Sequence, residues 1–80
     1  MTIQFRLQAQ AEAQCLPRLL DQFAQRGLIP SAVVTNHVGS GLDIVIEHPT
    51  IEDDVAELLC ERMRRITTVE QASAFRVRRS

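Results

Sequence analysis

The two cysteines are the side chains whose chemistry is most specific in this chain. Cys15 lies at a predicted helix N-terminus, which favours a thiolate, so a reactive thiol is one interpretation. Since Cys15 also continues an apolar helical stripe and no histidine is close to it in sequence, we favour a small core residue there, and the same for Cys60. The sequence has no CxxC pair and no Cys/His cluster with zinc-ligand spacing. We therefore expect no metal and no cofactor, and a reducing cytoplasm as the location.

The two histidines are the other candidates for a site. His37 and His48 have Asp43 or Glu47 near them in sequence, and such a group could form a metal or general-base site. Two isolated histidines without ligand spacing are more typical of structural positions. We expect His37 on a sheet face and His48 in a loop, and no catalytic residue is identified.

Charge divides the second half of the chain into an acidic and a basic part. Seven acids and no base lie between residues 43 and 61, whereas six arginines and one acid lie between residues 62 and 79. A predicted helix that begins in the acids and ends in the arginines complements its own dipole, which explains most of this asymmetry without a ligand. Trp and Tyr are absent and no run of 18 apolar residues occurs, so we expect neither nucleic-acid nor membrane binding.

Hydrophobic periodicity predicts six elements in one domain of residues 1–80. A period of two predicts strands, and a period near 3.6 predicts helices. Pro17 falls in a first helical turn, Gly27 is a left-handed helix stop, and Thr50 with Asp53 resembles a capping box. The predicted elements are a strand over 2–9, a helix over 14–26, strands over 32–38 and 42–47, a helix over 51–65 with the stripe Ile51, Val55, Leu58, Leu59, Met63 and Ile66, and a strand over 67–77.

This βαββαβ order predicts an α+β, ferredoxin-like sandwich. Two right-handed crossovers place both helices on one face of a four-stranded antiparallel sheet. The other face, which we call the bare face, is then uncovered. We expect it to carry Gln4, Arg6 and Gln8 with some of Val33, Thr35, His37 and Val45, while Val69, Phe75 and Val77 share one phase in the last strand. A homodimer that pairs edge strands or stacks sheets would cover such a surface.

Two segments resemble known proteins. The stretch from Leu16 to Gly27, LPRLLDQFAQRG, followed by an apolar strand, is similar to the first helix of ACT domains. It is closest to the small regulatory subunits of acetolactate synthase. Met63 to Val69, MRRITTV, is similar to the end of their second helix and the start of their last strand. The resemblance spans essentially Thr2 to Val77.

The resemblance implies where an amino acid would bind. In many ACT domains the loop between strand one and helix one holds the ligand against the start of strand two of a neighbouring copy. The matching positions here are Ala11, Glu12, Gln14, Cys15, Ile29 and Ser31. Ligand-binding relatives typically carry Asn and Gly in the loop and Asn at the strand, where this chain has Ala11, Gln14 and Ile29. The short, single-domain subunits are therefore the nearer likeness.

The resemblance also implies a function. We expect a non-catalytic regulatory dimer that binds and modulates a larger catalytic subunit, the thiamine-dependent acetolactate synthase of branched-chain amino-acid biosynthesis. Since 80 residues leave no room for an attached effector, such a module would act on a separate polypeptide. The alternative is a stand-alone dimer that senses an amino acid or similar metabolite. A third, minor interpretation is a small enzyme that uses His37 or His48.

Overall fold

A computed structural model describes residues 2–78 of the chain. The elements are β1 (Thr2–Gln10), α1 (Cys15–Ala24), β2 (Ala32–Val38), β3 (Gly41–His48), α2 (Asp53–Arg64) and β4 (Val69–Val77). The strands form one sheet in the order β2-β3-β1-β4, and every neighbouring pair is antiparallel. The predicted ferredoxin-like fold is confirmed.

The core lies between the helices and one face of β1 and β3. Alternate residues of these strands are buried because their side chains point toward the helices. The ring of Phe5 meets that of Phe23 edge to face, with centroids 5.3 Å apart, which ties β1 to α1. The core side chains are Ile3, Phe5, Leu7, Ala9, Cys15, Leu19, Phe23, Leu42, Ile44, Ile46, Ile51, Ala56, Leu59, Cys60, Met63, Val69 and Ala72.

Helix α1 ends where a glycine was predicted to stop it. Gly27 has a φ of +67°, in the region that glycine enters without a steric penalty. Its N–H donates to the carbonyl of Ala24 and the N–H of Leu28 donates to that of Phe23, each at 3.0 Å. These two bonds form a Schellman motif and return Leu28 to the edge of the core.

Helix α2 begins later than predicted, and the predicted cap at Thr50 is wrong. The residue before the helix is Glu52, which is extended and makes no side-chain cap hydrogen bond. Ile51 is buried. Because Ile51 is packed in the core, the backbone around it stays extended and the helix starts after this residue. The first helical hydrogen bond is donated by the N–H of Ala56 to the carbonyl of Glu52, at 2.9 Å.

The buried face of α2 also differs from the prediction at one position. Leu58, expected in the apolar stripe, is 37% exposed. Ala56 and Cys60 are buried in its place, together with the expected Leu59 and Met63.

A bulge in β4 separates residues that were expected on one face. Ala9 pairs with Val69 but Gln8 pairs with Gln71, so Glu70 is an extra residue in β4. Val69 is consequently buried under the helices, whereas Phe75 lies on the bare face, opposite Gln4. The expectation of a common phase for Val69 and Phe75 is wrong for this reason.

The residues of β2 lie on the opposite faces of the sheet from those predicted. The residues Val33, Thr35 and His37 pair with Ile46, Ile44 and Leu42, which are buried on the helix side. The bare face instead receives Val34, Asn36 and Val38 from β2, beside Val45 of β3, which lies there as predicted. Residues 32–38 do not alternate between apolar and polar types, so the sequence contains no signal for their phase.

Candidate functional site

The two loops predicted to bind an amino acid lie at opposite ends of the sheet. Ala11 donates its N–H to the carbonyl of Ser40 at 3.3 Å, beside the β2–β3 turn. Ser31 donates its N–H to the carbonyl of Glu47 at 2.7 Å, near the other end of β3. Six residues of strand separate these ends, a distance of about 20 Å. Within one copy, the structure therefore does not bring the two loops together.

The loop from Ala11 to Gln14 offers backbone donors. Its residues are exposed, and Gln14 precedes the helix without a side-chain cap hydrogen bond. Within residues 2–78, the N–H groups of Glu12, Ala13 and Gln14 have no backbone acceptor. Such donors at a helix N-terminus suit an anion.

Cys15 contributes less to this loop than its position implies. Its side chain is fully buried in the core, as the core interpretation predicted. Its N–H donates to the carbonyl of Glu12 at 3.1 Å. Cys15 therefore anchors the helix start, and its buried side chain is not accessible from the loop.

The second loop leads into an exposed edge strand. Ile29 is 83% exposed, and the Ser31 hydroxyl donates to the carbonyl of Glu47 at 3.1 Å. In β2, Val33, Val34 and Val38 are 39%, 50% and 57% exposed. Because these three side chains are divided between the two faces, β2 presents apolar surface on both sides of an edge whose backbone is free to pair.

The bare face carries a row of hydrogen-bonded polar side chains that was not predicted from the sequence. Gln4 Nε2 donates to Glu47 Oε2, and Arg6 Nε donates to Gln4 Oε1, each at 2.7 Å. Gln4 is buried on this otherwise open face. The alternation Gln4, Arg6, Gln8 was the available signal, but the partner Glu47 becomes evident only from the register of β1 with β3.

The histidines form no site with the acids near them in sequence. His37 and His48 pair with Leu42 and Ile3 respectively, at opposite ends of β3 and on the helix side. Asp43 and Glu47 pair with Gln8 and Gln4, on the bare face. In the part of the chain that the structure describes, no three His, Cys, Asp or Glu side chains are grouped to hold a metal ion.

Burial shifts the pKa values of both His48 and Cys60. The predicted loop position of His48 is wrong, since it is the last residue of β3 and is buried. Burial lowers the pKa of His48, and its Nδ1 accepts the N–H of Thr50 at 3.2 Å. Burial raises the pKa of the Cys60 thiol, which opposes thiolate chemistry.

Comparisons with known proteins give a family and a fold. A family model for an ACT-like domain matches residues 1–78. A crystal structure of the ACT domain from GTP pyrophosphokinase of Chlorobium tepidum is similar, with a TM-score of 0.79 and 9% identity over 94% of this chain and 97% of that chain. The C-terminal domain of the MgtC protein from Mycobacterium tuberculosis has a TM-score of 0.75 and 10% identity over 92% of this chain and 84% of that chain.

A larger enzyme contains a domain of the same shape. Homoserine dehydrogenase from Thiobacillus denitrificans matches with a TM-score of 0.77 and 14% identity over 91% of this chain but only 16% of its own length. No match was found among curated proteins. Within residues 2–78, no helix is long and apolar enough to cross a membrane.

Proposed function

Because the chain belongs to the family of ACT-like domains, we propose that it is a non-catalytic regulatory module that acts as a homodimer on a larger catalytic polypeptide. The observation that carries the proposal is the exposed apolar edge of β2. Val33, Val34 and Val38 are too apolar for a free edge strand, and pairing with a second copy would satisfy both their backbone and their side chains.

Antiparallel pairing of β2 with its copy also supplies the missing half of the ligand site. In such a pair the start of one β2 lies beside the end of the other. The end of β2 leads into the turn at Ser40, whose carbonyl holds Ala11. Ile29 to Ser31 of one copy would then approach Ala11 to Gln14 of the other. Two equivalent sites form in the dimer and none in a single copy.

The proposed ligand is a small amino acid held through its carboxylate. The N–H groups of Glu12, Ala13 and Gln14 would receive the carboxylate. Ile29 and Ser31 of the partner would close the site from the other side, with Cys15 holding the helix start in place. Pro17 removes one donor from the first helical turn, so this site has fewer donors than an uninterrupted helix start.

For the catalytic partner we propose the thiamine-dependent acetolactate synthase of branched-chain amino-acid biosynthesis, in the cytoplasm. The support is the resemblance of Leu16 to Gly27 and of Met63 to Val69 to its small subunits. The cofactor and the reacting groups would belong to the partner. The module would act by binding one conformation of the synthase more tightly than another.

Mixing the chain with the synthase catalytic subunit of the same organism tests this function. We expect the two to elute together in size-exclusion chromatography and the rate of acetolactate formation to change. Bovine serum albumin at equal concentration is the control for nonspecific stabilisation. If the two proteins elute separately and the rate stays the same, the synthase is not the partner.

The alternative is a stand-alone dimer that senses an amino acid. Isothermal titration of the chain against the twenty amino acids separates the two hypotheses. Binding of one amino acid that weakens in a Gln14→Pro variant, which lacks the N–H donor, or in Ser31→Ala, without any effect on a synthase, would favour the sensor. We rank it second because Ala11, Gln14 and Ile29 replace the Asn and Gly residues typical of ligand-binding relatives.

A further inference from the structure

The bare face of the sheet contains a depression of about 230 Å³ above β1. Strands β3 and β4 form its sides. Its polar lining includes Arg6, Gln8, Asp43 and Ser73, and its apolar lining includes Val45 and Phe75. It is smaller than the pockets of about 300 Å³ and more that hold drug-sized ligands, so only a small molecule fits it.

Hydrogen bonds on the bare face hold the Arg6 side chain in place. Glu47 accepts from Gln4, and Gln4 accepts from Arg6 Nε, both at 2.7 Å. Because Gln4 is buried, this chain of bonds fixes the inner part of the Arg6 side chain. The bond from Arg6 uses only Nε of the guanidinium, and an arginine restrained in this way loses less entropy when its terminal nitrogens bind an anion.

Arg6 and Asp43 line the same depression without forming an ion pair. The ion pairs among residues 2–78 are Arg64 with Glu61 and Arg76 with Asp53. The guanidinium and the carboxylate are therefore separate charges of opposite sign in the lining of one small cavity. A molecule that carries both charges would satisfy both residues.

We propose that this depression binds a small zwitterion, an α-amino acid with an apolar side chain. The Arg6 guanidinium receives its carboxylate, Asp43 receives its ammonium group, and Val45 and Phe75 contact its side chain. This site is distinct from the loops around Gln14 and Ile29. Pairing through β2 extends the sheet sideways and leaves the bare face accessible.

NMR titration of the whole chain with L-leucine tests the site. We expect amide signals of the residues around Arg6, Asp43 and Ser73 to shift. Two analogues of leucine serve as matched probes: 4-methylpentanoate lacks the ammonium group, and 3-methylbutylamine lacks the carboxylate. Each loses one charged contact, so each should bind at least about tenfold more weakly.

Substitutions identify the two charged groups. Arg6→Gln and Asp43→Asn should each weaken leucine binding by about tenfold or more. Arg18→Gln and Glu57→Gln change exposed charges on the helices and should leave it unchanged. The unshifted signals of each variant report whether it is folded, and the two analogues test the same contacts without any substitution.

Three results would overturn the site. Shifts confined to residues 11–14 and 29–31 would place the amino acid in the loops, which supports the proposed function and not this inference. A chain that shows no shift, or whose bare face is covered by a stacked second copy that excludes leucine, has no such site. Equal binding by the parent, Arg6→Gln and Asp43→Asn chains would remove the assigned roles.

Discussion

At the residue scale, His48 shows how burial determines the behaviour of a titratable group. Its imidazole lies under the helix side of the sheet, and its Nδ1 accepts the N–H of Thr50 at 3.2 Å. A protonated ring would bring a second donor against that N–H and place a charge in an apolar setting. Both effects favour the neutral ring, which agrees with its lowered pKa.

The sign of the pH dependence follows from this. Below the usual histidine pKa of about 6.5, the unfolded chain binds a proton at His48 that the folded chain resists, so stability is lost as the pH falls from there. His48→Asn keeps an acceptor for Thr50 but does not titrate. Denaturant unfolding at pH 7.5 and 5.5 should therefore show a smaller loss of stability for His48→Asn than for the parent chain.

The other histidine supplies the matched control. His37 is exposed on β2, so His37→Asn should keep the pH dependence of the parent. An equal loss of stability in the parent and both variants would assign the acid sensitivity to other groups.

Single residues were predictable where their role is local. Gly27 stops its helix because of its own backbone freedom, and Cys15 is a core residue because of its spacing from Leu19 and Phe23. The predictions for Thr50 and His48 failed because both depend on where Ile51 enters the core, which is a tertiary contact.

At the scale of elements, the extra residue in β4 places Val69 and Phe75 on opposite faces of the sheet. Glu70 lets Val69 pack under the helices while Phe75 and Ser73 reach the bare face. Val69 already pairs with Ala9 and Gln71 with Gln8, so a strand without Glu70 would continue as a regular ladder with every side chain on its present face. Removing a residue from the regular part of β4 instead moves the residues on one side of the deletion to the opposite face.

Deletion of Ser73 should therefore destabilise the fold strongly, whereas deletion of Glu70 should be mild. If residues 74–77 keep their partners, loss of Ser73 moves Ala72 to the bare face and Gln71 under the helices, and we expect burial of that amide to cost at least about 2 kcal/mol. Deletion of Glu70 keeps both faces and should change stability by about 1 kcal/mol or less. Urea unfolding monitored by circular dichroism measures both. A Glu70 deletion as damaging as that of Ser73 would show that the strand needs its extra residue to keep the register.

The helices were more predictable than the faces of the strands. Cys15 was assigned to the apolar stripe of α1 and is buried there with Leu19 and Phe23, and Pro17 with Gly27 bounded the helix. Residues 32–38 of β2 have no alternation, because an edge strand exposed on both sides places little demand on residue type. The bulge at Glu70 was likewise invisible, since its signal is a pairing between distant residues.

At the scale of the whole molecule, the fold follows from element order, whereas the site does not. Right-handed crossovers leave few alternatives for a βαββαβ chain of this length. The candidate loops near Ala11 and Ile29 lie at opposite ends of one copy, and the depression beside Arg6 depends on strand register. Both are properties of assembled strands, so a pattern along the chain cannot reveal them.

Self-association through β2 can be tested at Val33. In an antiparallel pair related by a two-fold axis, each substitution occurs twice in one interface. Val33→Lys therefore adds two positive charges to an apolar edge, a device that natural sheets use against edge pairing. We expect the dimer to dissociate at least about tenfold more readily in sedimentation velocity experiments, from roughly 1 kcal/mol or more of repulsion and lost contact.

A second lysine distinguishes edge pairing from general apolar association. Leu58 is 37% exposed on α2, close to the 39% of Val33, so Leu58→Lys alters a similar amount of apolar surface on another element. It should leave the dimer intact. If Leu58→Lys dissociates the dimer and Val33→Lys does not, then the copies meet through their helices, and the loop site that depends on β2 pairing cannot form as proposed.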